Sequence, residues 1–441
     1  MARADRRPSE PIAAEIVSLS HEGRGIARPG GKTVFVDGAL PGESVLFRHV
    51  RHHGKFDEGV VVEVRTPSPL RVEPVCRHYS ICGGCSLQHL RPDEQVRHKE
   101  SVLLEQLRAI AGIEPRERLA PIAGPTEGYR RRARLGVRHV AAKGRVLVGF
   151  HEKRSSRVAD IDSCEVLHPG AVRLLAPLSA LIGELDHPET FPQVEMAIGE
   201  NAAAFVLRHL REFPERDLER LREFEQAQGV RIFLQPGGED SVHALTPGEE
   251  RPLSYSLPRH EVEMFFGPTD FTQVNFEVNR NLVGRVIELL APGPADQVLD
   301  LYCGLGNFSL PQARLAAQVT GVEGSSALVA GARRNAAHNG IANVEFQCAD
   351  LASGTAPHPF LARCWDKVSL DPPRAGAREV LRRLDLSKTS RIAYVSCNPA
   401  TLARDAALLT GGRGFILDKA GVIDMFPHTS HGESLAIFER A

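Results

Sequence analysis

Gln297-Val298-Leu299-Asp300-Leu301-Tyr302-Cys303-Gly304-Leu305-Gly306-Asn307-Phe308 reads as a short apolar strand with an acid near its end, a glycine turn, and the opening of a helix. Gly-x-Gly alone is common to many nucleotide binders, so its neighbours decide what it means. A second strand is predicted over 319–323 and ends in Glu323, 19 residues after Gly304. An acid at that separation is placed to take both hydroxyls of a ribose. A third strand over 344–348 ends near Asp350, which is placed to accept from an adenine amino group. A fourth, 367–370, ends in Asp371-Pro372-Pro373-Arg374, and a fifth, 391–395, ends in Ser396-Cys397-Asn398-Pro399. Strands alternating with helices, with polar residues at successive strand ends, predict a doubly wound α/β sheet binding its ligand at the carboxyl edge. No third glycine completes a dinucleotide fingerprint, so one adenosyl group fits better than NAD.

Working outward, a helix is predicted over 277–290 and a last strand over 434–438. At 441 residues the chain is too long for one core, and about three domains are expected at roughly 100–200 residues each. Residues 12–68 alternate β-type runs (14–17, 33–36, 44–47, 59–64) with Gly and Pro turns, which suggests a small barrel of the oligonucleotide-binding type. Ser18-Leu19-Ser20-His21-Glu22-Gly23-Arg24-Gly25-Ile26-Ala27 resembles the opening of a TRAM domain, an RNA-binding barrel appended to RNA-modifying enzymes. Arg48, Arg51, His52, His53 and Lys55 form a basic loop consistent with RNA.

Composition is that of a globular protein, 42% hydrophobic and 25% charged with a net charge of −1, so any nucleic-acid surface must come from clustering of charge. No apolar run approaches the length needed to span a bilayer, and Met-Ala-Arg-Ala-Asp-Arg-Arg is not followed by an apolar stretch. A soluble, cytoplasmic protein is expected. No interface is legible, and a monomer is expected.

Eight irregularly spaced cysteines do not form a secreted disulfide framework and point to metal or catalytic roles. Cys76, Cys82 and Cys85 follow a C-x5-C-x2-C pattern with Gly83 and Gly84 between the last two, and such a triplet needs a fourth soft ligand. Cys164 is the best candidate, being the only cysteine between Cys85 and Cys303. Spacing alone leaves zinc and a 4Fe-4S cluster both open.

An amphipathic helix with acid in its first turn is predicted over 91–111, with Val96, Val102, Leu103, Leu107 and Ile110 as its apolar positions. Between Arg130 and Arg157 there are ten Arg or Lys and one acid, Glu152, interleaved with Leu135, Val137, Val146, Val148 and Phe150. This pattern predicts strands that display cations to RNA phosphates on one face. Residues 193–262 read as mixed α+β, with a helix over 212–228.

Taken together, D-L-Y-C-G-L-G-N-F, D-P-P-R-A-G and S-C-N-P, with Phe271-Thr272-Gln273-Val274-Asn275 before them and Asp424-Met425-Phe426-Pro427-His428-Thr429-Ser430-His431-Gly432-Glu433 after, occur in the order seen in S-adenosylmethionine-dependent RNA uracil-5-methyltransferases. The resemblance covers nearly the whole chain. The barrel and the four cysteines make it similar to the TRAM-bearing, iron-sulfur members that methylate 23S ribosomal RNA, whereas the tRNA-specific relative lacks both features. It implies a multidomain chain: a TRAM (OB-like) barrel over 1–68, a central α+β iron-sulfur and RNA-binding domain over 69–270 whose helix 91–112 packs on the catalytic part, and a Rossmann-like class I methyltransferase domain over 271–441. It further implies that Gln273, Tyr302, Glu323 and Asp371 contact S-adenosyl-L-methionine, with Asn307 and Asp350 close by, and that Cys76, Cys82, Cys85 and Cys164 hold a 4Fe-4S cluster. Tyr302 stands where Phe is also common, and Gly432 stands where a larger side chain would fit, which is expected to loosen that loop.

The chemistry so implied makes demands of its own. C5 of uracil is a poor nucleophile until a thiolate adds to C6, which assigns Cys397 as nucleophile. A base must then remove the C5 proton, and Glu433, buried against Phe426 and Pro427, is the candidate. The face of the base must be reachable, so the target uridine in 23S rRNA is expected to be flipped out or to lie in a loop. The alternatives are a uracil-5-methyltransferase of tRNA, an amine methyltransferase needing no thiol adduct, and a non-catalytic RNA-binding or ribosome-assembly protein. A radical iron-sulfur centre is disfavoured, because its triplet would be C-x3-C-x2-C and four protein ligands leave no open iron.

Overall fold

The computed structural model describes residues 10–248, 251–352 and 358–441. The first nine residues of the expected barrel segment, with the N-terminal stretch read above for a leader, lie outside the described residues.

In the C-terminal part, Gln297–Leu301, Gln318–Glu323, Val344–Cys348, Lys367–Leu370 and Arg391–Ser396 run parallel in the spatial order third, second, first, fourth, fifth. Each is followed by a helix that returns the chain to the same edge. The order reverses between Gln297–Leu301 and Lys367–Leu370, and a crevice opens at such a switch point. Side chains alternate across the sheet. Val298, Val395, Leu435 and Ile437 join one core beneath the helix Phe276–Leu290, while Leu299, Leu370, Ala436 and Phe438 join the other beneath Pro399–Gly412. Glu433–Arg440 adds antiparallel to Arg391–Ser396, and Phe415–Ile423 lies beyond it. Phe415–Ile423 was not legible because Asp418 and Lys419 interrupt its alternation, where its register shifts between Leu417 and Lys419.

Two segments from earlier in the chain complete these cores. The helix Pro92–Gln106 and the π-turn Leu107–Ala111 bury Leu103 and Leu107 against the sheet's second face. The hairpin Leu253–Leu257 with Val262–Phe266 packs on the first face through Tyr255, Met264 and Phe266.

A six-stranded sheet carries the strands Arg132–Val140 and Arg145–Gly149 at one end and is backed by the helices Leu175–Glu184 and Glu215–Gln228. The latter helix starts three residues later than the expected 212, since Pro214 bars Phe213 from helical geometry. At the N-terminus another six-stranded sheet closes on itself. Ile12–Glu15 pairs with Ser44–His52, and the same segment bends so that Ser18–Leu19 pairs with Gly25–Ala27. Ile16, Val34, Val36, Val45 and Phe47 fill its interior. Among the described residues no helix is long and apolar enough to cross a membrane.

Candidate active site

The antiparallel pairing of the fifth strand ends at the rung Ser396–Ser434, which leaves Cys397 and Glu433 as the next residues outward on the two chains. Both line one cleft of about 600 Å³, together with Lys99, Arg374 and Asn398. Asn398 fixes the turn at Cys397. Its Oδ1 accepts from the Ala400 N–H at 3.1 Å to cap the helix Pro399–Gly412, and its Nδ2 donates to Arg374 O at 3.2 Å. The D-P-P-R loop is tied from the other side, where the buried Asp405 carboxylate accepts from the Ala377 N–H at 2.7 Å and the Tyr394 hydroxyl at 2.8 Å.

Burial, followed by the negative charges of Glu433 and Asp371, pushes the Cys397 thiol up, and Arg374 opposes them. Glu433 is 6% exposed, which rejects a surface carboxylate. Burial first and Asp371 second push it up to about 8, against the pull of Lys99. Its Oε2 is buried without a hydrogen-bond partner. A carboxyl group near neutrality, beside a thiol at a strand end, is a pair suited to accept and hold a proton.

The cofactor-side candidates gather along the same edge. Glu323 accepts from the Gly304 N–H at 3.2 Å and the Ser325 N–H at 3.0 Å, so the acid of the second strand braces the glycine turn of the first. Tyr302 has φ 60°, a left-handed conformation costly for a bulky side chain. Burial, and then the negative charges of Asp405, Asp350 and Glu323, push its hydroxyl up. Gln273 donates to Asp371 at 3.3 Å, and Asp371 is pushed up to about 7 by burial and then by Asp300. Asn307 is engaged within the core, exchanging hydrogen bonds with Asn279 and accepting from the Tyr255 hydroxyl.

Cys76, Cys82, Cys85 and Cys164 line one small apolar chamber, so the distant fourth cysteine does join the triplet. Burial and then neighbouring cysteines hold the thiols up, Cys85 to about 12 and Cys164 to about 11. Among the described residues, the group whose three ligand atoms all lie within 4.8 Å of one another is a different one, His49, His52 and Asp57 in the barrel. Asp57 is there held by Lys32 at 2.7 Å.

Much of the cationic run is ion-paired. Arg134 pairs with Glu195 at 2.8 Å, Lys143 and Arg145 pair with Asp160 at 2.5 and 2.7 Å, Arg154 pairs with Asp37, and Lys153 lies 3.8 Å over the Tyr79 ring. The counter-ions lie outside the run, and Arg134, Lys143, Arg145 and Arg154 remain exposed while paired. Gly432 packs against the helix Pro92–Gln106. The Lys99 stem lies against it, 3.4 Å from where a Cβ would stand, so the loop is covered on that side. Lys99 itself was overlooked, although its place four residues before Leu103 and eight before Leu107 puts a cation on the helix's apolar stripe.

Sheet order and strand-end acids define a nucleotide-cofactor α/β fold. The chain belongs to the tRNA (uracil-5-)-methyltransferase family, whose pattern it matches over residues 93–354 and 362–441. It is 51% identical over 433 residues to the 23S rRNA (uracil(1939)-C(5))-methyltransferase RlmD of Methylococcus capsulatus, covering 98% of each chain. It is also 51% identical over 439 residues to the protein of the same name from Nitrosococcus oceani, covering 99% of this chain and 98% of that one. The crystal structure of the Pyrococcus abyssi tRNA (uracil-54, C5)-methyltransferase in complex with S-adenosyl-L-homocysteine superposes with a TM-score of 0.74 at 26% identity, covering 97% of this chain and 99% of that one.

Proposed function

We propose that this protein transfers a methyl group from S-adenosyl-L-methionine to C5 of a uridine in 23S rRNA, the one corresponding to uracil 1939 of its relatives. The observation that carries the reading is the pair Cys397 and Glu433 side by side in one cleft, in a chain half identical to enzymes named for that reaction. Once its proton has left to solvent, the Cys397 sulfur adds to C6, and the C5–C6 π electrons move into the C4 carbonyl as an enolate. C5 then takes the methyl group, releasing S-adenosyl-L-homocysteine. Glu433 removes the C5 proton, the C5–C6 double bond re-forms, and the Cys397 thiolate departs. Tyr302, Glu323 and Asp350 supply the adenosine end of the cofactor site, Gln273 and Asp371 its methionine end, and Asn307 anchors the turn between them.

The barrel is read as the TRAM domain. Its His21 and Glu22 border the cleft that holds Cys397, which supports a role in presenting RNA to the thiol. The four cysteines are read as ligands of a 4Fe-4S cluster. A single zinc ion with sulfurs at about 2.3 Å would draw them to about 3.8 Å apart. Their convergence on one small apolar chamber, with Gly83 and Gly84 letting the backbone wrap closely, supports a thiolate-held cluster. Such a group would supply a four-point cross-link between the segments 76–85 and 164.

Labelled S-adenosyl-L-methionine, offered with a 23S rRNA fragment or a tRNA transcript, tests the assignment. Label should appear at C5 of one uridine in the 23S fragment and not in tRNA. Label in tRNA alone would overturn the substrate, and label on an exocyclic amine would overturn the reaction.

A further inference from the structure

We infer that Lys99 is a positioning residue for proton removal from C5, acting through Glu433; this rests on the reading of Glu433 as the base. Lys99 arrives on the helix Pro92–Gln106, outside the five parallel strands that carry the cofactor site. Its side chain is 1% exposed, and a lysine buried to that extent needs a reason. Nζ is fixed by Asp424 Oδ1 at 2.5 Å and by Phe426 O at 3.0 Å, at the two ends of Asp424-Met425-Phe426, where the loop leading to Glu433 begins. An ammonium has three donors, so one remains beyond these two. The stem lies flat on Gly432, the residue before Glu433, and Lys99 lines the same cleft as Cys397 and Glu433.

The charged and titratable groups around Glu433 are Asp371 and Arg374 from the D-P-P-R loop, Cys397 from the fifth strand, Asp424 and His431 from its own loop, His21 and Glu22 from the barrel, and Lys99. Burial and then Asp371 drive Glu433 toward its neutral form, and Lys99 is the cation that opposes them. A base must be ionised when the C5 proton is presented, and the Glu433 oxygen without a hydrogen-bond partner cannot hold its charge by neutral donors. Fixing a cation on the preceding backbone keeps the carboxylate available and holds the loop at one distance from the thiol.

The test compares wild type, Lys99→Met, Lys99→Arg, Glu433→Gln and the double variant Lys99→Met/Asp424→Asn, each with unmodified 23S fragment and S-adenosyl-L-methionine. The double variant removes both members of the buried pair and so avoids stranding a charge. Turnover and denaturation-stable protein–RNA adduct are followed from about pH 6 to about pH 9.5, a range that brackets a carboxyl group shifted as Glu433 is. Glu433→Gln should retain adduct at every pH. Lys99→Met, or the double variant where the single one does not fold, should retain adduct near neutrality and release it as pH rises. Its acid limb should lie about one pH unit higher, roughly tenfold slower release at pH 7, with Lys99→Arg restoring the wild-type profile. A folded lysine-free variant with the wild-type pH profile would overturn the inference. Free release of product by Glu433→Gln would instead overturn the assignment of the base.

Discussion

Cys397 and Glu433 stand just beyond the rung Ser396–Ser434, one at the end of a parallel strand and the other at the start of its antiparallel neighbour. Two residues 36 positions apart in sequence are therefore set side by side by backbone pairing alone, before any side-chain contact is counted. Rigid strands are better supports for a reacting pair than loops.

Removing the sulfur should stop the reaction without disturbing the fold, since Cys397 is only half-buried and Asn398, not Cys397, caps the helix that follows. Cys397→Ala is expected to lower turnover by roughly a thousandfold or more, the scale for loss of a nucleophile, with an unchanged melting temperature. Activity close to wild type would favour amine methylation.

Stability should respond to pH through Glu433. Its carboxyl group titrates near 4.5 when exposed and at about 8 in the fold, so the folded state binds the proton more tightly. Stability is then fully present below about pH 4.5 and lost as pH rises toward 8. Glu433→Gln, which removes this penalty, should stabilise the protein by at least ~1 kcal/mol more at pH 8 than at pH 5. Denaturant titrations at the two pH values check it, and equal effects would refute the buried, neutral carboxyl.

The cysteine chamber is wired to the loop that leads to Glu433. The Ser86 and Leu87 N–H groups, directly after Cys85, donate to His428 O at 3.0 and 2.9 Å, and the Ser430 N–H donates to Ser86 Oγ at 2.9 Å. Anaerobically prepared protein should carry about four irons per chain. Removing them by chelation, or by Cys82→Ser, should speed hydrogen exchange at 428–431 as well as at 76–89. Unchanged exchange at 428–431 would show that the loop is held independently.

Legibility in the sequence followed the range of the interactions involved. The parallel strands, the Gly304–Gly306 turn and the cysteine triplet are written in local spacing and could be read directly. Phe415–Ile423 was missed because a bulge and two charges break its period. The counter-ions of the run 130–157 lie outside it, and of these Asp37 and Glu195 arrive only through tertiary structure. Lys99 escaped for a related reason. Its partner Asp424 is 325 residues away, and only a cation on an apolar helix face betrayed it.

Covalent catalysis is tested most directly with a 23S rRNA fragment carrying 5-fluorouridine and S-adenosyl-L-methionine. Fluorine at C5 cannot leave as a proton, so the reaction should halt with RNA bound to protein, and peptide mapping should place the bond on Cys397. A protein that methylates unmodified RNA yet forms no adduct with the fluorinated fragment would contradict addition of a thiolate to C6.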